Sequence, residues 1–235
     1  MTKNRIIFNM VIMGIIFLTS SCNGGGSIES SSQNASPNQD ESSNQNASSN
    51  LDEVTIGSQV WTSTNLDVST FRNGDPIPQS RTNEEWKKAG ENGEPAWCYY
   101  DNDPSNGTKY GKLYNWHAVN DPRGLAPNGY HIPTDAEWTK LSDCLGGEDL
   151  AGTKMKSKSG WKENNGTNSS GFSGLPGGRC SNGSFGSIGC NGYWWSSTET
   201  RTYSVWIRNL VYDYGGVISF YDSKVVGLSV RCLRD

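Results

Sequence analysis

Residues 129–138 read Gly-Tyr-His-Ile-Pro-Thr-Asp-Ala-Glu-Trp and predict an extended segment that stops and feeds a capped helix. Pro133 cannot donate a hydrogen bond to a neighbouring strand, and it restricts the residue before it to extended geometry. Thr134 and Glu137 have the spacing of a capping box, in which the hydroxyl and the carboxylate each accept from an unpaired amide at the helix start. Trp138 then begins the apolar face of the helix. We therefore interpret Thr134, Glu137 and Trp138 as the structural hub of the domain.

The segments on either side of the hub predict short helices and short strands. The hub helix extends to about residue 145, where two glycines stop it. Upstream, the pattern predicts a hairpin over 53–61, a short helix that begins with a second capping box at Thr82, and a buried strand over 95–100. Downstream, residues 151–192 are rich in Gly, Ser, Asn and Lys and predict a long irregular region. Alternating apolar residues then predict three closing strands, over 192–198, 201–210 and 225–233.

The composition indicates one domain with an aromatic core. Hydrophobic residues make up 33% of the 235-residue chain, and all nine tryptophans and ten tyrosines follow residue 50. Each such ring buries about 150–250 Å², so few rings fill a core. The net charge is -4, and the basic residues are scattered rather than gathered on one face. We therefore expect no nucleic-acid partner.

Residues 1–21 have the pattern of a lipoprotein signal peptide. Lys3 and Arg5 precede an apolar run that is too short to span a bilayer. The sequence Leu-Thr-Ser-Ser before Cys22 resembles a bacterial lipobox, although Thr19 stands where leucine is usual. In that signal the cysteine is diacylated, and two acyl chains give stable anchoring. We predict that Cys22 is lipidated and that the membrane is a partner, with an ordinary secretory leader as the alternative.

Residues 22–50 predict a disordered linker after the lipidated cysteine. They are dominated by Ser, Asn, Gln and Gly and contain no aromatic residue. Such a segment cannot bury enough apolar surface to offset its ordering entropy. A flexible chain of this length spans roughly 30 Å, which holds residues 51–235 away from the membrane. We expect an outer-membrane lipoprotein that faces either the cell surface or the periplasm.

Motifs of glycine and aromatic residues follow one another through residues 51–235. They are Ile56-Gly57-Ser58-Gln59-Val60-Trp61, Tyr99-Tyr100-Asp101-Asn102-Asp103-Pro104, Gly111-Lys112-Leu113-Tyr114-Asn115-Trp116, Gly129 to Trp138, Leu175-Pro176-Gly177-Gly178, Gly192-Tyr193-Trp194-Trp195-Ser196-Ser197-Thr198-Glu199 and Gly227-Leu228-Ser229-Val230-Arg231-Cys232. In this order they resemble the Fibrobacter succinogenes major paralogous domain, a family common in surface and secreted proteins of Bacteroidetes and Fibrobacter.

The resemblance implies a fold similar to that of formylglycine-generating enzymes, itself a variant of the C-type lectin fold. The implied fold class is α+β, with short antiparallel strands, two short helices and long irregular loops. Ala126 stands where the family often has a cysteine. Cys232, near the end of the domain, therefore lacks one disulfide partner that the resemblance would imply.

The cysteines of the domain favour disulfides, because an exported protein meets an oxidising environment. Cys180 and Cys190 flank a loop rich in Gly and Ser, and we predict a disulfide between them. Cys232 has two open partners, Cys144 and Cys98, and the odd count leaves one thiol. No pair has the C-x-x-C spacing of a zinc site, and the two histidines lie far from any cysteine pair.

Tyr193, Trp194 and Trp195 are the candidate ligand-binding residues. Successive residues of a strand point to opposite faces, so one of the two tryptophans is expected in the core and the other exposed, where its ring would stack on a sugar. Glu199 and Arg201, at the following turn, would be the polar companions of the site. The alternative is that both rings are buried.

No pattern in the sequence favours a metal, a cofactor or a catalytic constellation. Asp101, Asp103 and Ser105 resemble half of a calcium loop, but the glycine comes one residue late and no bidentate glutamate follows. A polar turn capped by these side chains explains them better. Formylglycine-generating enzymes use two cysteines a few residues apart, whereas Cys180 and Cys190 are separated by a longer loop with glycines. We expect no enzymatic activity.

The sequence therefore predicts a lipid-anchored envelope protein with a non-catalytic binding or adhesion module, for which glycans are one candidate ligand. Two alternatives stay open. The first is a structural or interaction module that recognises an envelope protein. The second is a degenerate enzyme of the formylglycine-generating fold.

Overall fold

A computed structural model of the chain describes residues 51–163 and 166–235. The predicted signal peptide, Cys22 and the predicted linker lie outside the described residues. The domain combines short helices with mainly antiparallel strands, which confirms the α+β class. Among the helices of the described part, none has the length and apolar character needed to cross a bilayer.

The described residues form eleven strands and five α-helices. The strands are β1 (Glu53–Ile56), β2 (Gln59–Thr62), β3 (Trp97–Cys98), β4 (Leu113–Tyr114), β5 (Tyr130–His131), β6 (Gly177–Ser181), β7 (Ser184–Ile188), β8 (Asn191–Arg201), β9 (Ser204–Val211), β10 (Ile218–Ser223) and β11 (Leu233–Arg234). The helices are α1 (Asn83–Asn92), α2 (Pro104–Tyr110), α3 (Trp116–Val119), α4 (Asp135–Cys144) and α5 (Glu148–Met155).

Two sheets carry the domain. One has the order β1-β2-β11-β5 and joins strands from the start, the middle and the end of the domain. The other has the order β10-β9-β8-β6-β7, in which β6 and β8 are parallel and the remaining neighbours are antiparallel. Strands β3 and β4 form a separate pair. The predicted hairpin over 53–61 is the β1–β2 pair, and Gly57 supplies the left-handed residue of its turn at φ 62°.

The capping box of the hub is confirmed. Thr134 accepts a hydrogen bond from the amide of Glu137, and a Glu137 carboxylate oxygen accepts from the amide of Thr134 at 2.8 Å. Helix α4 ends at Cys144, one residue before the predicted end. Trp138 is fully buried and packs 4.7 Å from Trp61, measured between ring centroids.

Three of the five observed helices, α2, α3 and α5, were not predicted, and side chains cap the first two but not α5. Asp103 caps α2 by accepting from the amide of Ser105, and Asn115 caps α3 by accepting from the amide of Ala118. The residues that resemble half a calcium loop therefore begin a helix. Segments this short carry too few turns for an apolar stripe, so periodicity does not reveal them.

Of the three predicted closing strands, two are confirmed as β8 and β9. The third, over 225–233, is mostly a run of single bridges: Leu228 bridges to Tyr114, Gly227 to Cys180 and Ser229 to Trp194. Because it passes between three different segments, it pairs briefly with each and forms regular strand only in β11. An additional strand, β10, precedes it and was not predicted.

Strand β8 separates two hydrophobic cores. Trp195 packs into a core with residues of the 226–232 segment, including Val226, Leu228 and Val230. Trp194 packs on the opposite face with Trp138 of α4. A third, smaller core holds Trp86, Ala96, Cys98, Tyr100, Leu113 and Cys180.

Candidate functional site

The predicted binding residues Tyr193, Trp194 and Trp195 lie in the interior. Both tryptophans are fully buried, and Tyr193 is almost so. The Nε1 of Trp194 donates to Asn65 at 2.9 Å, and that of Trp195 donates to the carbonyl of Tyr114 at 2.7 Å. The expectation that one ring is exposed is therefore wrong, and the alternative that both are buried is confirmed. Strand alternation fixes which face each ring takes, but here both faces are covered.

Glu199 and Arg201 lie at the open end of β8, away from those rings. The Glu199 carboxylate pairs with Lys224 at 3.1 Å, and the Lys224 ammonium lies 4.4 Å from the ring centroid of Trp116. Arg201 is exposed at the last position of β8. The structure thus keeps these two polar residues on the surface without the aromatic partners that the sequence suggested for them.

The hub positions this end of β8. The pairing of β8 with β9 shifts register between Trp195 and Glu199, which leaves a bulge at residues 196–198. The amide of Ser197 donates to the carbonyl of Pro133 at 2.9 Å, and Thr198 accepts from the amide of Asp135 at 3.0 Å. A β-bulge commonly redirects the strand beyond it. The helix start that the sequence predicted therefore holds the bulge that precedes Glu199 and Arg201.

An aromatic pair on β9 and β10, half-buried in one ring and exposed in the other, was not predicted from the sequence. Trp206 and Tyr221 are opposite one another in the register, with ring centroids 6.4 Å apart at 84°. Trp206 is half-buried, and Tyr221 is 59% exposed. Tyr203, in the turn just before β9, is 81% exposed. We call Trp206 and Tyr221 the aromatic face.

Polar residues border the aromatic face on the same side of the sheet. Ser204 is two residues before Trp206 and therefore shares its side. Arg201 and Ser223 are the register partners of Ser204 on the two neighbouring strands. A guanidinium and two hydroxyls thus share the side of the sheet that carries the half-buried Trp206 and the exposed Tyr221.

A signal for Trp206 was present in the sequence. The alternation that predicts β9 places Val205 and Ile207 on one side, and both are fully buried. Trp206 must then point to the other side. No comparable signal identified Tyr221, because β10 was not predicted.

A polar cleft of about 330 Å³ lies elsewhere on the domain. Most of the residues that line it are Ser, Thr, Asn or Gly, and its charged residues are Lys109 and Asp67. Two hydrogen bonds hold the side chain of Asn65 in the wall of the cleft. Its amide nitrogen donates to the Tyr110 carbonyl at 2.8 Å, and its amide oxygen accepts from Arg231 at 2.8 Å. The cleft contains no exposed aromatic ring, since Tyr110 is buried.

The predicted disulfide between Cys180 and Cys190 is not formed in the described part of the chain. Cys180 is opposite Phe185 in the β6–β7 hairpin, and Cys190 lies beyond the end of β7 at Ile188. Because Ile188 is paired with Gly177, Cys190 lies near the start of β6, whereas Cys180 lies near the end of β6. The Cys180 side chain instead lies in the third core with that of Cys98, and these two cysteines are also unbridged.

Cys98 and Cys232 are poor nucleophiles. Burial raises the pKa of Cys98, and contact with Cys180 raises it further. Burial also raises the pKa of Cys232 to about 12. The reactive form of cysteine is the thiolate, which is scarce at neutral pH when the pKa is raised. Residues 51–163 and 166–235 also hold no cluster of three or more His, Cys, Asp or Glu side chains arranged to bind a metal.

Comparison with known proteins identifies the family. The family model of the Fibrobacter succinogenes major domain matches residues 54–234. No curated protein and no solved structure matches the chain. The match spans the hub, both sheets and the aromatic face. The chain therefore belongs to the Fibrobacter succinogenes major domain family.

Proposed function

We propose that this chain is a lipid-anchored cell-envelope protein whose domain is a non-catalytic binding or adhesion module for glycans. The observation that carries the proposal is the aromatic face, Trp206 with Tyr221. Exposed aromatic side chains combine an apolar body with a polar tip and are typical of recognition surfaces. A sugar ring is complementary to such a surface, because it has an apolar face edged by hydroxyl groups.

The border of the aromatic face supports the same ligand class. Arg201, Ser204 and Ser223 share its side of the sheet through the register of β8, β9 and β10. Their guanidinium and hydroxyl groups offer donors and acceptors to sugar hydroxyls. The aromatic face would supply contact area, and these residues would supply orientation.

The fold we propose for this module is C-type-lectin-like, as in formylglycine-generating enzymes. Support comes from the family resemblance and from the α+β class, with short helices and long irregular connections. Binding on the surface of a sheet needs no catalytic residues, and four of the five cysteines of the domain are buried.

Glycan binding is tested with the full chain on a glycan array and then by calorimetry with the glycan that binds best. Trp206→Ala and Tyr221→Ala should each weaken binding about tenfold, the loss expected for one aromatic contact. Tyr214→Ala is the matched control, because Tyr214 is also exposed but lies in another segment. Unchanged thermal unfolding would show that the variants stay folded. Binding that survives both substitutions, or no binding to any glycan, would contradict the proposal.

Two other functions are separated by the same variants. If the aromatic face binds an envelope protein, the wild type should capture that protein from envelope extracts, and Trp206→Ala should not. An enzyme of the formylglycine-generating type needs a reactive cysteine pair. Resistance of Cys180 and Cys190 to alkylation in the native protein would count against it.

Anchoring is proposed at Cys22 on the basis of the lipobox-like sequence. Cys22→Ser should move the protein from the membrane fraction to the soluble fraction of cells that express the full chain. Cys144→Ser is the control, since Cys144 is an exposed cysteine of the domain. If the Cys22 variant remains with the membrane fraction, the lipid anchor is refuted.

A further inference from the structure

Two buried cysteines from distant parts of the chain meet in the third core. Cys98 lies in β3 and Cys180 in β6, and both side chains are almost completely buried. Both are reduced in this structure, and they belong to the same buried cluster, where Cys180 is close enough to raise the pKa of Cys98. Sequence spacing gave no indication of this proximity, because about 80 residues separate the two positions.

The surrounding contacts show that the two segments face each other over more than one residue. Tyr100 is two residues after Cys98, and its ring packs against the backbone at Gly178, two residues before Cys180. The same ring lies 5.3 Å from the ring of Phe185, the register partner of Cys180 in β7. Cys98 and Cys180 are therefore held opposite each other by neighbours on both segments.

Strand β6 is itself fixed on its other side. Cys180 forms a bridge with Gly227, and hydrogen bonds run in both directions between their backbones at 3.0 Å and 2.7 Å. A side chain at Gly227 would collide with the ring of Trp86 and contact Cys180. The backbone of Gly227 therefore packs closely against Cys180.

We propose that Cys98 and Cys180 form a disulfide in the exported protein. The bond would join the β3 segment to the β6–β7 hairpin and close a loop of about 80 residues. It rests on the proposed export of the chain, but it uses neither the aromatic face nor the polar cleft, so it stands independently of glycan binding. It also replaces Cys190 as the partner of Cys180.

The oxidation requires a disulfide donor, such as oxidised glutathione or a protein disulfide oxidant. A thiolate of one cysteine attacks a sulfur of the donor, forms a mixed disulfide and releases one donor thiol. The thiolate of the second cysteine then attacks the mixed disulfide, which forms the Cys98–Cys180 bond and releases the second donor thiol. Two protein thiols are oxidised and one donor disulfide is reduced, and the two protons end on the released thiols.

Burial sets the order of events. Folded Cys98 is inaccessible, so a bulky donor cannot reach it. The bond should therefore form before the β6–β7 hairpin packs onto β3. Once it has formed, the same burial should protect it from reductants unless the protein unfolds.

Peptide mapping tests the bond directly. The full chain is expressed with its own leader, and the protein recovered from the cell-envelope fraction is denatured, alkylated without reductant and digested. Absence of the protein from that fraction would contradict export, whereas free thiols in the recovered protein would contradict the disulfide. Trypsin alone leaves Cys180 and Cys190 on one peptide, because no Lys or Arg lies between them. Chymotrypsin cleaves after Phe185 and separates them. A linked pair of peptides that contain Cys98 and Cys180, and that dissociates on reduction, is the expected result.

Alkylated Cys98 and Cys180, or a peptide that links Cys180 to Cys190, would overturn the proposal.

Thermal unfolding gives a second measurement. Reduction under denaturing conditions, followed by refolding in reductant, should lower the melting temperature of the wild type by about 10 °C. It should leave the double variant Cys98→Ala/Cys180→Ala unchanged, and Cys144→Ser should behave as the wild type does. If the double variant fails to fold, the peptide map alone decides.

Discussion

The guanidinium of Arg208 lies 2.6 Å from the carboxylate of Asp135, and it also donates to the Asp135 carbonyl at 3.1 Å. Arg208 is almost fully buried on β9, and Asp135 is the first residue of α4. One ion pair therefore joins the helix that the hub begins to the strand that carries Trp206. The hub holds the bulge of β8 on one side and β9 on the other.

Asp135→Ala should destabilise the domain by about 2–3 kcal/mol, because it leaves the buried Arg208 without its carboxylate. The partial exposure of Asp135 allows water to replace some of the interaction, which keeps the loss below that of a fully buried pair. Urea unfolding measures the change. Asp143→Ala, an exposed aspartate of the same helix, should change the unfolding free energy by no more than about 0.5 kcal/mol. Equal effects of the two variants would refute the role of the ion pair.

His131 should make the domain less stable as the pH rises. Its ring nitrogens lie 2.8 Å from Asp235 and 3.0 Å from Glu137. Partial burial opposes protonation, but the hydrogen bonds and the two carboxylates outweigh it, so the pKa of His131 is raised. Because the folded pKa is above the unfolded one, the stabilisation is fully present below about pH 6.5 and is lost as the pH rises through the folded pKa.

His117 should show the opposite pH dependence of stability, so comparing the two histidines tests the predicted direction. Burial, with a smaller effect of Lys224, lowers the pKa of His117. The unfolded chain then binds a proton more readily, so His117 reduces stability as the pH falls. Urea unfolding at pH 6 and pH 8.5 should show that His131→Gln loses more stability relative to the wild type at pH 6 than at pH 8.5. His117→Gln should gain relative to the wild type at pH 6. The same pH dependence in both variants would contradict the assignment.

Arg231 is a fully buried cation that is bound by carbonyl and amide oxygens. It donates to the Thr62 carbonyl at 2.7 Å, to the Phe172 carbonyl at 2.8 Å and to the Ser173 carbonyl at 3.1 Å. Its Nε donates to Asn65 in the wall of the polar cleft. The side chain thus ties the first sheet to residues 172–173, inside the region predicted as irregular.

Arg231→Met should cost about 3–5 kcal/mol, because it leaves several buried acceptors without a donor. Arg231→Lys should also be destabilising, since an ammonium lacks the planar fork that reaches all of these oxygens. Denaturant unfolding measures both. Arg201→Met is the control, because Arg201 is exposed and should change stability by about 0.5 kcal/mol or less. Similar losses in Arg201→Met and Arg231→Met would contradict this account.

The parts of the structure that sequence predicted are those set by local chemistry. The capping box at Thr134 and Glu137 and the turn at Gly57 depend on residues within a few positions, so pattern and propensity identify them. What covers a strand depends on distant segments. Alternation therefore gave the correct sides for Trp194 and Trp195 but not their burial, which depends on α4 and on residues 226–232. The contact of Cys98 with Cys180 was invisible for the same reason.

Both backbone conformation and close packing favour glycine at Gly178, whereas only backbone conformation favours it at Gly129 in the hub. Both have left-handed backbone, at φ 66° and 81°. A Cβ at Gly178 would lie 2.5 Å from the Gly186 carbonyl and 2.7 Å from the Tyr100 ring, whereas a Cβ at Gly129 would meet nothing within 4 Å. The pair therefore separates the cost of backbone conformation from the cost of the clash.

Gly129→Ala should cost only the conformational penalty, about 1–2 kcal/mol. Gly178→Ala should cost about 2–5 kcal/mol, because the β6–β7 hairpin must also shift away from Tyr100. Urea unfolding of both variants gives the difference. Amide hydrogen exchange should localise the loss of protection in Gly178→Ala to β6 and β7, and it should leave α4 protected. If the two variants lose equal stability, the close packing of Tyr100 on β6 does not hold this part of the domain together.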